Sequence, residues 1–211
     1  IAKAKEVGAG TQRERDYIDA LAKLYQDAAN TPHRPRAIAY EEAMEKVSAS
    51  NPKDIEAKIL YALAVSANHD LNDKKYERPL KAAGMLEPLF KSLPRHPGVA
   101  HYLIHSYDYP PIAEKGLAAA KRYSVVGADA AHAQHMPSHI FTRVGYWRES
   151  VAANKASAAT DTAARPQSPH AWDYMVYAYL QLGEDAAAEG VWAEARSIKM
   201  LSNPAFSQPF G

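Results

Sequence analysis

The segment HPGVAHYLIHSYDYPPIAEKGLAAAKRY (residues 96–123) lies over AAHAQHMPSHIFTRVGYWRESVAANKAS (residues 130–157) at an offset of 34 residues. His101 then falls on His135, His105 on His139, Tyr107 on Phe141, Ala113 on Trp147, Leu117 on Val151 and Ala120 on Asn154. A third segment, SPHAWDYMVYAYLQLGEDAAAEGVWAEA (residues 168–195), follows at an offset of 38. There His132 matches His170, Phe141 matches Tyr179, Gly145 matches Gly183 and Asn154 matches Trp192. The four extra residues fit the Pro/Ser/Gln-rich stretch at 165–169. A unit of this length, apolar at helical spacing, is a helix–turn–helix that buries its apolar face on copies of itself.

The N-terminal part carries weaker helical signals. Thr11-Gln12-Arg13-Glu14 reads as a capping box. Tyr17, Ile18, Leu21 and Leu24 follow it at helical spacing. Further helices are predicted over 35–49, ending before Asn51-Pro52, then over about 53–69 and 78–93, with a polar loop from His69 to Tyr76. Alternating β-branched runs and Asn-Gly or Asp-Gly hairpin signals are missing. The expected organisation is a degenerate helical pair over 1–51, repeats over 52–199, and a tail over 200–211 that carries Phe206 and Phe210 and is not a repeat.

The period resembles that of the tetratricopeptide repeat family. The third segment fits best, with Trp172, Tyr179, Gly183, Ala188, Trp192 and Ala195 at the family's large and small positions. The resemblance covers about residues 52–198. HYLIH followed by HMPSHIF is similar to a bacterial subgroup of that family, which supplies a fold and little chemistry. It implies an all-α, right-handed helical-repeat solenoid of about five hairpins. The first helix of each hairpin would line a concave groove suited to a peptide or protein segment, or to a small-molecule substrate.

Composition narrows the function classes. The 211 residues are 47% apolar, enough for one sizeable core or a stack of repeats. A net charge of +1, from 25 basic and 24 acidic residues, gives no reason to expect nucleic acid or an anionic membrane as partner. No apolar run reaches about 18 residues, so no membrane span is expected. The chain starts at Ile1 rather than Met, so it is expected to be processed or trimmed. A soluble protein of either the periplasm or the cytoplasm fits. Without cysteine there is no disulfide, no thiolate nucleophile and no Cys-based zinc site. GxSxG, HExxH and phosphate-binding loops are all missing, which argues against serine hydrolases, zinc proteases and P-loop enzymes.

Histidine is the residue left to carry chemistry. Seven of the nine lie between residues 96 and 170. On the resemblance, His101, His135 and Asp173 share one groove-facing register, as do His105, His139 and Tyr177. His132 and His170 share a third, and Asp108 and Thr142 a fourth. The spacing agrees independently: His101 and His105, like His135 and His139, are four apart and share a helix face. Two imidazoles at that spacing can hold one metal ion, and helices packed about 8–10 Å apart let two such pairs converge. His101, His105, His135 and His139 are therefore the candidate metal ligands. His132, His170, Asp173, Tyr177, Asp108 and Arg143 are candidates for the rim or for ligand binding, and Glu114 is a further candidate base. Imidazole alone does not choose among Zn, Cu, Fe and Ni. If three ligands leave a fourth position to water, hydrolytic or redox activity is open to the site.

Simpler readings stand beside this one. The histidines could spread along a metal-free groove that meets a partner peptide. Met136-Pro137 either starts a helix or kinks one that began near Asp129. His33, His69 and His96 read as surface residues. Tyr61, Tyr102, Tyr107, Tyr123, Phe141, Trp147, Trp172, Tyr179 and Trp192 read as packing, and Arg143 as half of a surface ion pair.

Overall fold

The structure, a computed structural model, describes residues 1–160 and 168–197. The tail, with Phe206 and Phe210, and most of the 165–169 stretch lie outside the described residues. The described chain forms two compact units of helices, divided between Pro94 and Arg95.

The first unit contains α1 (Ala2–Val7), α2 (Gln12–Tyr25), α3 (His33–Ser50), α4 (Ile55–Ala67) and α5 (Glu77–Ser92). Helices α2 to α5 pack each on the next, as antiparallel hairpins do. The capping box forms: the Thr11 hydroxyl accepts from the Glu14 N–H, and the Glu14 carboxylate accepts from the Thr11 N–H at 2.8 Å. Asp54 caps α4 by accepting from the Ala57 N–H at 3.3 Å. The same carboxylate accepts from the Tyr17 hydroxyl at 2.9 Å and pairs with Arg13, which ties α2 to α4. The Arg13 hydrogen bond leads the effects that hold Asp54 below the usual carboxylate range. Met44, Ile59, Val65 and Leu86 are fully buried between these helices. Full burial of such a side chain contributes about 1.5–3 kcal/mol.

In the second unit come α6 (Pro97–Tyr107), a 3₁₀ turn (Ala113–Gly116) and α7 (Leu117–Val126). After them follow α8 (Ala131–His135), α9 (Pro137–Arg143), α10 (Trp147–Thr160), α11 (Ser168–Gln181) and α12 (Asp185–Ser197). The hairpins are α6 with α7, α8 and α9 with α10, and α11 with α12. The repeat register is visible in the turns. The Tyr146 N–H donates to the Phe141 carbonyl at 2.8 Å, and the Glu184 N–H to the Tyr179 carbonyl at 2.9 Å. Each turn passes through a glycine with positive φ, Gly145 at 77° and Gly183 at 70°. These are two copies of one Schellman turn, at the offset given by the sequence alignment. Val151, Trp172, Met175, Ala178, Tyr179, Ala188 and Ala195 form a core around α10, α11 and α12.

The Met136-Pro137 junction combines both sequence alternatives. A short helix begins at Ala131, and a second begins at Pro137. Met136 between them keeps right-handed helical backbone, φ −51° and ψ −38°, so the direction of the chain persists. Pro137 has no N–H to give, and the next turn tightens: the His139 N–H donates to the Met136 carbonyl at 3.2 Å.

Two expectations about burial need correction. His69 is buried, not exposed, and its ring stacks on Tyr76 with centroids 6.0 Å apart. Trp192, expected to pack, is 52% exposed with the Arg196 guanidinium over its ring. His96 serves as a cap, its Nδ1 accepting from the Val99 N–H at 3.3 Å.

Gly127 marks the tightest approach in the second unit: a Cβ there would lie 2.4 Å from the Cβ of Ala133. Gly127→Ala should force α8 away from α7 and destabilise the fold by about 1–3 kcal/mol, the usual cost of overpacking. Thermal denaturation followed by circular dichroism measures it, and an unchanged midpoint would refute the close contact.

Candidate metal centre

Six histidines of the second unit gather on one face. His101 and His105 come from α6, His132 and His135 from α8, His139 from α9 and His170 from α11. Their ligand atoms sort into two groups of three: His101 with His105 and His132, and His135 with His139 and His170. Within each group the ligand atoms lie within 4.8 Å of one another. The two i, i+4 pairs expected from the sequence are thus both present. Each pair takes its third member from the following hairpin.

The second group has fixed outer contacts. His135 is buried, and its Nδ1 lies 2.6 Å from Asn154 Oδ1. The Asn154 amide is oriented by its own NH₂, which donates to the Ser150 carbonyl at 2.8 Å, so Oδ1 faces the imidazole as an acceptor. His139 Nδ1 lies 2.8 Å from Asp108 Oδ2, again an acceptor. When both rings are neutral, each Nδ1 carries the proton and each Nε2 carries a lone pair. Those two Nε2 atoms face each other at 2.9 Å. Two lone pairs at that distance repel unless a proton or a metal cation lies between them. An ion bound by imidazoles at about 2.0–2.1 Å in tetrahedral geometry sets its ligand nitrogens about 3.3 Å apart, wider than the 2.9 Å between these two. The His170 ring completes the group, its centroid 4.4 Å from that of His135.

Asp108 links this group to Arg143, whose Nε–H donates to Oδ1 at 2.8 Å. Burial alone would raise the Asp108 carboxyl. Hydrogen bonds and charge from His139 and Arg143 outweigh that and hold it below its ordinary value. Arg143 is thus half of an ion pair at the surface, as expected, and Asp108 joins that pair to the site. The Tyr174 hydroxyl reaches to 3.3 Å from His139 Nδ1. Burial, reinforced by Asp108, pushes this phenol up to about 12, so it stays protonated at neutral pH.

The first group is more open. His101 Nε2 lies 3.1 Å from His105 Nε2 and 3.3 Å from His132 Nε2. The His101 ring stacks on Tyr123, centroids 5.1 Å apart, and on Tyr102 at 5.4 Å. His105 and His132 have exposed edges. Burial, followed by the neighbouring histidines, pushes His101 down to about 3; burial, followed by His139, pushes His135 down to about 3. His132 and His170 are lowered for the same reasons. Neutral imidazole is the form that binds metal.

The rim residues divide. Asp108 and Arg143 join the site as described. Asp173 is exposed, and its charge acts on His170. Tyr177 is 48% exposed and packs edge-on against Trp147, centroids 5.7 Å apart. The hydroxyl that reaches His139 belongs to Tyr174, which the repeat register did not indicate. Glu114 lies exposed in the 3₁₀ turn. Asn154 was also missed, although it left a trace: at its register the other repeats carry Ala120 and Trp192.

No protein-family model matches the chain, and no curated protein does. Solved structures do. A structure of MamA from MSR-1 is 15% identical, with a TM-score of 0.64, covering 90% of this chain and 96% of that one. A second crystal structure of MamA is 12% identical at a TM-score of 0.64, covering 93% and 98%. TTC0263, a thermophilic tetratricopeptide repeat protein of Thermus thermophilus, is 18% identical at a TM-score of 0.58, covering 90% and 93%. The fold is tetratricopeptide-repeat-like. At these identities the likeness carries the fold alone. The all-helical repeat class expected from the sequence is the one found, and no described helix is long and apolar enough to cross a membrane.

The lowered histidines set a pH dependence. In the unfolded chain His101 and His135 would titrate near 6.5; in the tetratricopeptide-like fold they titrate near 3. Between these values the unfolded state binds more protons, so the stability present above pH 6.5 is lost as pH falls toward 3. Melting midpoints of chelator-treated protein should drop across that window, and His101→Gln should flatten the slope. A slope identical in His101→Gln would refute the assignment.

Proposed function

We propose that this tetratricopeptide-like protein binds a transition-metal ion through His135, His139 and His170. The observation that carries the proposal is the pair of outer hydrogen bonds, His135 to Asn154 and His139 to Asp108. They select, for the neutral rings that bind metal, the tautomers whose two Nε2 lone pairs converge. Metal-bound histidines characteristically donate their second ring N–H to a carboxylate or carbonyl oxygen, which sets ring orientation and raises basicity. Three imidazoles leave a fourth position open, the arrangement used by hydrolytic and redox sites alike. Zn, Cu, Ni and Fe(II) all suit such a donor set.

Elemental analysis of untagged protein, dialysed without added metal, is the direct test. Retention of near-stoichiometric metal supports the proposal. No retained metal, together with no binding on addition of Zn, Cu, Ni or Fe(II), would sink it. A second reading would then take its place: a metal-free module that holds a partner peptide. The exposed Tyr177 and Leu180 on α11 favour that reading.

Asp108→Ala removes the acceptor for His139 Nδ1 without touching a ligand. Metal affinity should fall about 10–100-fold, the usual effect of losing such a partner, while the circular dichroism spectrum is kept. Competition with a chromophoric chelator measures it. An affinity equal to wild type would show that Asp108 does not orient the site.

A further inference from the structure

We infer that the protein holds two transition-metal ions in neighbouring sites built by one recipe, the second site being His101, His105 and His132. This rests on the metal-binding reading above and extends it.

The recipe is explicit in the repeats. One site takes the i, i+4 pair of the first hairpin, His101 and His105, and adds His132 from the start of the second. The other takes the corresponding pair of the second hairpin, His135 and His139, and adds His170 from the start of the third. The added histidines occupy matching repeat positions. Donors at the same three registers, in two successive seams, are a repeated construction rather than a chance cluster.

The nitrogens of the first group call for a cation on their own account. Each imidazole nitrogen has one in-plane position, filled either by a proton or by a lone pair. His101 Nε2 faces His105 Nε2 at 3.1 Å and His132 Nε2 at 3.3 Å. A single in-plane position cannot form good hydrogen bonds to both neighbours. One cation at the common focus accepts a lone pair from all three. The His101 ring is held for this by Tyr123 and Tyr102 on its faces.

The two sites adjoin. Ring centroids are 6.4 Å apart both between His105 and His139 and between His132 and His135. With neighbouring helices about 8–10 Å apart, the two ions lie within a distance at which paired electron spins interact. The series ends at two, because the registers of His135 and His139 carry Asp173 and Tyr177 in the third hairpin. All donors are imidazole nitrogen, a set that binds Cu(II) most tightly among the late divalent metals.

Titration of the chelator-treated full chain with Cu(II), followed by calorimetry and electron paramagnetic resonance, tests this. Two equivalents should bind, and the spectrum should broaden by spin–spin interaction only as the second enters. His132→Ala and His105→Ala alter exposed side chains; each should bind one equivalent and give an unbroadened signal with the melting curve kept. His170→Ala should likewise retain one. Binding of a single ion by wild type, unchanged in His105→Ala and His132→Ala, would overturn the second site and leave the first standing. Two ions with no broadening would overturn the adjacency. No binding at all would overturn both proposals.

Discussion

Everything in the histidine cluster depends on where two protons are held. His139 commits its Nδ1 proton to Asp108, and His135 commits its own to Asn154. Neither acceptor is free to turn away. Asp108 is gripped from its other oxygen by Arg143, and the Asn154 amide is anchored to the backbone of its own helix. With the outer nitrogens tied, the inner ones have no choice of tautomer. A less constrained pair would resolve its repulsion by moving a proton to one Nε2. Here that would leave a buried acceptor without its donor, at a cost of about 1–3 kcal/mol.

The helical framework explains how such a group can be buried at all. Seen from α10, the site rests on a polar stripe of Ser150 and Asn154, both fully buried, with the Ser150 hydroxyl 3.0 Å from that of Thr142. Buried polar groups are tolerated when their hydrogen bonds are made locally, and this stripe makes them within one hairpin. His101 and His135 stay neutral because burial, followed by the neighbouring histidines, pushes both down to about 3.

Much of this was legible in the sequence, because repetition makes weak signals add. The capping box at Thr11, the matched glycines Gly145 and Gly183, and the two HxxxH pairs are local patterns with a physical cause, and all three are realised. The grouping of the histidines was less legible. Spacing along a helix shows which rings share a face, but not that His132 and His170 cross to the preceding hairpin. Tyr174 escaped notice because the repeat register points to Tyr177, one turn further along α11. Asn154 breaks an apolar register, but a mismatch in one repeat does not say which group its amide meets. Helix α1 left no apolar period because its six residues bury nothing. His69 was misjudged because ring stacking within a polar loop has no sequence signature.

The crossing of each third histidine into the preceding hairpin has a consequence for chain topology. His101 and His132, like His139 and His170, are some thirty residues apart along the backbone. An ion shared by either pair would close a loop of that length, and loop closure in the unfolded chain is where a covalent cross-link gains its stabilising effect. The sequence has no cysteine and hence no disulfide. Its staples would be exchangeable ones, set and released by metal supply and acidity rather than by the redox state of the surroundings.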